Sequence, residues 1–284
     1  MKIGAHLSIA GGYYKALERI VAIDGNCLQI FSSSPRGWRY ATITNESKQI
    51  FKDTKIRLKI NEVFFHASYL VNLADEGKIG EKSKESLIAE LTVASQLGII
   101  GSIVHLGSFK SGRDVISHVS KLADQKYKTL IDNIKEILIN TPQDSFLIIE
   151  NAGNRKIGQN IDEIASIITD VNNERLKVCL DTCHLFSAGY NLSTKETMDT
   201  FFDEFEGKIG LRKLIVFHLN DSKDPFNSGR DRHENIGQGT LSLKPFKLLL
   251  NDERTHHLPF IIETPGFNKK GPDKENIDII KSLV

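Results

Sequence analysis

Short apolar runs alternate with segments of helical periodicity from one end of the chain to the other. The runs Lys2–Ala5, Cys27–Phe31, Val63–His66, Ser102–His105, Ser145–Glu150, Leu176–Asp181, Leu214–Leu219 and Pro259–Glu263 are short, branched and nearly continuous in apolar character. Strands covered on both faces, as in a parallel sheet, require that character. Between them, Glu81–Leu97, Asp114–Ile139, Thr194–Glu206 and Ser242–Leu250 carry apolar residues at helical spacing. Asp114 and Ser242 read as helix caps, and Pro245 falls early enough in its helix to be tolerated. Eight strands alternating with about eight helices predict an α/β fold, a (β/α)8 TIM barrel forming one domain over residues 1–284.

The connections point the same way. Helix-to-strand links are short ("DGN", "TPQD", "VNN"), whereas strand-to-helix links are long and polar ("GSFKSGRD", "NAGNRKIGQ", "NDSKDPFNSGRDRHENIGQGT"). That asymmetry predicts an active site at the C-terminal face of the strands, where barrel enzymes carry their elaborated loops.

Six successive strands end on a residue able to bind a metal, or run straight into one: His66, His105, Glu150, Asp181 with His184 just after it, His218, and Glu263. The loop after the seventh strand adds Asp231 and His233. Taken singly, a histidine after a strand is more often a satisfied buried residue, and an acid there often caps the next helix. Six strand ends of a barrel share one mouth, however, and four carboxylates gathered there are expected to repel one another and shift upward in pKa. Bound cations relieve that repulsion. Histidine and carboxylate without thiolate suit zinc, with manganese or iron as rivals, and nine donors exceed what one tetrahedral ion uses. Two or three clustered ions suit hydrolysis at phosphorus.

Composition adjusts this picture only at the edges. A hydrophobic content of 40%, a charged content of 26% and a net charge of +1 are ordinary for a globular protein, so any nucleic-acid surface must be a local grouping of basic residues. Three cysteines are too few and too odd in number for a disulfide framework. Cys179 points the same way as Asp181 but about 7 Å deeper in the barrel, as a core filler. Cys183 lies nearer the mouth and competes poorly with the harder ligands. No apolar run approaches the ~20 residues of a membrane span, and the start lacks a secretory leader. The expectation is a cytoplasmic, monomeric protein with no membrane partner and no organic cofactor.

The stretches "IGAHLSIAGG", "HASYLVNLA", "LDTCHLFSAGY", "HLNDSK", "DRHENIGQG" and "IIET" resemble the endonuclease IV family of zinc-dependent apurinic/apyrimidinic endonucleases. The resemblance runs from the first strand to the last. It implies a barrel with three zinc ions: His66 and His105 on the first, Glu150 bridging the first two, Asp181, His218 and Glu263 on the second, and His184, Asp231 and His233 on the third. It further implies Glu150 and Glu263 as catalytic residues beside a hydroxide held between the first two ions. The implied substrate is duplex DNA with abasic sites or blocked 3′ ends, cut 5′ to the base-less sugar to leave a 3′-hydroxyl and a 5′-deoxyribose phosphate. Arg36, Tyr69 and Leu70 match the family's minor-groove wedge positions. Arg36, Arg39, Lys110, Arg113, Arg155, Lys156, Lys223, Arg230 and Arg232 fall in loops on the same face and form a prospective basic rim.

The chain departs from the family pattern after Glu150, where "AGNRKIGQ" is shorter and more basic, and after His105, where Phe109 replaces a histidine. His6 has no ligand counterpart and reads as a support or phosphate contact; His118, His256 and His257 read as surface residues. Two other readings stand beside this one: a divalent-metal sugar isomerase or epimerase on the same barrel, and a DNA-binding barrel without turnover.

Overall fold

The computed structural model describes residues 1–109, 121–153 and 156–284. Eight parallel strands form the barrel: β1 (Lys2–His6), β2 (Cys27–Phe31), β3 (Val63–His66), β4 (Gly101–Val104), β5 (Phe146–Glu150), β6 (Leu176–Asp181), β7 (Leu214–His218) and β10 (Pro259–Ile262). They close in the order β1-β10-β7-β6-β5-β4-β3-β2. The intervening β8 (Asp221–Ser222) and β9 (His233–Glu234) form a two-residue antiparallel ribbon within the loop after β7. This ribbon was not legible as such in the sequence.

Helices α1 (Tyr13–Ala22), α2 (Asn45–Arg57), α3 (Lys78–Leu97), α4 (Lys121–Ile139) and α5 (Ile161–Val171) follow successive strands. A short α6 (Thr182–Ser187) and then α7 (Lys195–Lys208) both lie between β6 and β7, and α8 (Lys244–Asn251) and α9 (Lys274–Lys281) complete the ring. The helices bury stripes at helical spacing, such as Ile161, Ile164, Ile168 and Val171 on α5. Thr194 caps α7 in a capping box with Thr197. Pro245 lies in the first turn of α8 as expected, but Ser242 is not its cap. Ser242 has φ 70, in the left-handed region, one residue before the N-cap Leu243. A capping serine needs extended backbone instead. Asp114 lies outside the described residues.

Inside the barrel, side chains stack in layers with the period of two that strands impose. One buried apolar cluster holds Cys27, Phe64, Ile103, Ile148, Cys179, Val216 and Ile261, one residue from each strand except β1. Cys179 is thus the core filler anticipated, and Cys27 fills the same layer. On β1 the corresponding place is taken by Gly4, where a Cβ would lie 1.8 Å from the Cys27 carbonyl oxygen. Two residues further along each strand comes a polar layer: His6, Gln29, His66, His105, Glu150, Asp181, His218 and Glu263. The apolar layer is the floor of the site, and burial of each of its larger side chains contributes about 2–3 kcal/mol.

A buried carboxylate ties one outer helix to the barrel. Glu90 on α3 accepts hydrogen bonds from Ser32, just past β2, and Ser102 on β4. Burial pushes its pKa up to about 7 from 4.5 despite those donors. Between these two values the folded protein holds a proton that the unfolded chain has released, so stability falls as pH rises through that window and levels off above it. At 1.36 kcal/mol per unit, wild type should lose about 3 kcal/mol relative to Glu90→Gln from pH 4.5 to 7.5. Urea unfolding of both proteins across that range checks this, and parallel curves would refute it.

Candidate metal centre

Glu150 is the hub of the polar layer. It is fully buried, at 0% exposure. Its Oε2 lies 3.1 Å from His66 Nε2 and 3.2 Å from His105 Nε2. Its Oε1 lies 3.0 Å from His218 Nδ1 and 3.3 Å from His184 Nδ1. The two oxygens of one carboxylate therefore face two different sets of imidazoles.

Three groups of donors could each hold a metal ion, with ligand atoms within 4.8 Å of one another: His66, His105 and Glu150; Glu150, Asp181, His218 and Glu263; and His184, Asp231 and His233. The structure brings all nine sequence-predicted residues together. Cys183 forms a further such combination with Asp181 and His233. It is buried, and burial pushes its thiol up to about 12, which disfavours the thiolate a metal would need.

Local structure explains how β6 serves two groups. Asp181 ends the strand and is the N-cap of α6, its Oδ1 accepting from His184 N at 3.0 Å. The helical turn then carries His184 back over the mouth, where its Nε2 lies 2.9 Å from Asp231 Oδ1 and 3.4 Å from His233 Nε2. His233 lies in the ribbon and Asp231 two residues before it, and Asp221 organises the ribbon by accepting from the amides of Ser222, Gly237, Gly239 and Leu241.

Supporting amides surround the ligands, and charge-based reasoning from the sequence missed them. Asn220 donates from Nδ2 to Asp181 Oδ2 at 2.7 Å, and its Oδ1 accepts from Glu263 N at 2.8 Å. Asn151 Oδ1 accepts from Asp181 N at 2.6 Å. Gln29 touches His6, His218 and Glu263. The available signal was position: each is a polar residue in or directly after an apolar strand.

The residues present fit a metal. His66 Nδ1 lies 2.9 Å from the Ala67 carbonyl, and His184 Nδ1 lies 2.9 Å from the Asn151 carbonyl. A carbonyl only accepts, so each Nδ1 carries the proton and each Nε2 is left to face a carboxylate. An imidazole arranged so can meet a carboxylate in two ways: with a second proton, or with a cation between them. This orientation of one ring nitrogen by a backbone carbonyl is the usual support of a metal-binding histidine.

Without cations, the charges balance through the imidazoles. Burial would raise Glu150, Glu263 and Asp231, but the histidines around them outweigh it and hold all three well below the usual carboxylate range. This corrects the expected upward shift. The sequence shows four acids converging but not how closely the histidines pack against them. Burial lowers His184 and His218 as well, yet Asp181 and Asp231 raise His184, and Cys179 with Glu263 and Glu150 raises His218, both well above the usual imidazole value; His105, where burial dominates, is pushed down to about 4.

His66, His105, His184, Asp231, His233 and Glu263 line a cavity of about 390 Å³ together with Phe31 and Tyr69. Tyr69 is 66% exposed and Leu70 38% exposed, and the Tyr69 ring meets Phe31 edge-on at 5.4 Å. Arg36 is exposed on the neighbouring loop, and Ser68 Oγ donates to the Pro35 carbonyl at 2.8 Å, fastening the two loops together. Arg39, Lys156 and Lys223 are also exposed. Arg232 is not a free rim charge, because it forks onto the buried Asp224 carboxylate, which Arg230 also approaches at 3.5 Å. Lys110, Arg113, Arg155 and His118 lie outside the described residues, and His256 and His257 are exposed as expected. Phe109 packs partly buried against the core. No helix among the described residues is long and apolar enough to cross a membrane.

Comparisons with known proteins agree with this architecture. The family model for xylose isomerase-like TIM barrels matches residues 17–283. A probable endonuclease 4 from Sulfurihydrogenibium sp. is 37% identical over 289 residues, covering 100% of this chain and 99% of the relative. One from Persephonella marina is 37% identical over 288 residues, covering 100% and 97%. Among solved structures, endonuclease IV from Thermus thermophilus aligns with a TM-score of 0.85 at 31% identity, covering 100% of this chain and 98% of that one. A D-tagatose 3-epimerase-like protein aligns with a TM-score of 0.71 at 18% identity, which shows the shared fold alone.

If the donor groups bind metal, protein loaded with zinc should unfold at a higher temperature than chelator-stripped protein, by about 4 kcal/mol of stability at zinc a thousandfold above its dissociation constant. Calorimetry with metal analysis of both samples checks this. Identical midpoints would show that the groups hold no ion.

Proposed function

The chain belongs to the endonuclease IV family of xylose isomerase-like barrels, and we propose from this that it is a DNA repair endonuclease. In this reading it hydrolyses the phosphodiester 5′ to abasic sites in duplex DNA, leaving a 3′-hydroxyl and a 5′-deoxyribose phosphate, and also trims blocked 3′ ends. The observation that carries it is the convergence of nine imidazoles and carboxylates in three metal-sized groups at one barrel mouth. His66, His105 and Glu150 would hold a first zinc; Glu150, Asp181, His218 and Glu263 a second; and His184, Asp231 and His233 a third. Manganese or iron could replace zinc in such a donor set. Bound ions would supply charge stabilisation to a phosphate in reaction.

The chain's own residues account for the remaining requirements. Glu150 can be shared by two ions because its oxygens already face separate imidazole sets. Glu263, at the end of β10, lines the cavity and so lies where a phosphate would enter. Tyr69 and Leu70 provide an exposed apolar wedge beside Arg36, the composition that proteins use to unstack and kink a duplex. An abasic nucleotide has no base to unstack, so swinging it out costs less than flipping an intact one. A second, polar cavity of about 740 Å³, lined by Lys156, Gln159 and Arg230 among others, offers room for flanking backbone. A sugar isomerase on the same barrel would need neither the His184–Asp231–His233 group nor an exposed wedge.

Purified protein should cut a duplex carrying one abasic analogue, with product size and end chemistry as above, and Glu263→Ala should slow this by at least about 100-fold with an unchanged circular dichroism spectrum. Full turnover in Glu263→Ala would remove that residue from the reaction. Tyr69→Ala should weaken binding to the abasic duplex about tenfold, an effect of stacking size, and leave undamaged duplex nearly unaffected. Equal losses on both duplexes would mean that Tyr69 only covers the rim.

A further inference from the structure

β1 and β2 are the two strands that supply nothing to the three donor groups, yet the polar layer continues through them as His6 and Gln29. Gln29 is fully buried. Its Nε2 lies 2.6 Å from Glu263 Oε1, and an ionised carboxylate can only accept, so the amide nitrogen must face Glu263. The amide oxygen is thereby turned the other way, 2.7 Å from His218 Nε2. An amide oxygen also only accepts, so the His218 proton must sit on Nε2. Its lone pair is then on Nδ1, the atom that faces Glu150 at 3.0 Å, Glu263 at 3.6 Å and Asp181 at 3.8 Å. His6 Nδ1 lies 2.8 Å from the same amide nitrogen and 3.0 Å from Glu263 Oε1, and the His6 ring is steadied against Phe31 at 4.3 Å.

We infer that Gln29 is a positioning residue for the second metal group: one buried amide fixes both the tautomer of His218 and the orientation of Glu263. A hydroxyl, a lysine or a carboxylate cannot replace it, because the place requires a donor and an acceptor on opposite sides of one planar group. Asn220 holds Asp181 and the Glu263 backbone from the other side, so three of that group's four residues are oriented by carboxamides. Partners of this kind typically alter metal affinity 10- to 100-fold.

The inference rests on the metal-binding reading above, and one experiment separates the two. Zinc content and chelator-competition titrations compare wild type with Gln29→Met, which keeps length and bulk but removes both hydrogen bonds. Wild type should hold zinc at every group, whereas Gln29→Met should bind one ion about 10- to 100-fold more weakly and the others unchanged. Equal zinc number and affinity in both proteins would overturn the role of Gln29 while leaving the metal reading intact. A wild type without zinc would overturn both. A long-range 1H–15N spectrum of the histidine rings in zinc-loaded wild type tests the tautomer without relying on a variant that folds. A proton on His218 Nε2 supports the inference, and one on Nδ1 overturns it.

Discussion

The structure depends on one requirement, that the buried Glu150 carboxylate be surrounded by positive charge. Removing an ion from water costs several kcal/mol even after relaxation, and unpaired it would simply hold a proton. Here four imidazoles reach its two oxygens from β3, the β4 end, α6 and β7. Meeting that requirement dictates much else: a closed barrel to aim the strand ends at one point, a short helix to return His184, and two carbonyls and an amide to fix which ring nitrogen His66, His184 and His218 present. Protons on the imidazoles and cations between them are alternative ways to satisfy the same carboxylate. Any metal bound by this cluster would therefore compete with protons.

The division between floor and site follows from strand geometry. Because side chains alternate, the residue two places after each apolar interior residue must lie directly above it. Phe64 is followed by His66, Ile103 by His105, Ile148 by Glu150, Val216 by His218 and Ile261 by Glu263. The dry layer excludes water from beneath, which strengthens every electrostatic contact above it.

Much of this was legible in the sequence because it is written in period two and in residue type. The strand ends His66, His105, Glu150, Asp181, His218 and Glu263 stand out against apolar runs, and the asymmetry of loop length indicates which face they share. What escaped has physical reasons. Helix α6 is too short to show a hydrophobic stripe, and the ribbon of β8 and β9 is two residues a side, so neither leaves a periodic trace. Ser242 has the chemistry of a cap but not the backbone conformation, which the preceding ribbon loop determines. Gln29, Asn151 and Asn220 carry no charge; Gln29 and Asn220 each aim an acceptor and a donor at different neighbours, and Asn151 accepts from the Asp181 amide. The direction of the carboxylate shifts depended on how closely histidines from distant strands approach each acid, which no linear spacing displays.

The double duty of Asp181 has a thermodynamic consequence. One of its oxygens anchors the first turn of α6 and the other looks into the donor cluster, and both belong to a single rigid plane. Fraying of that turn and loosening of the ligand thus lie along the same coordinate. Whatever occupies the cluster also stiffens the helix, and whatever melts the helix opens the cluster. An ion held by the cluster would therefore also hold the segment from Asp181 to Ser187 in place.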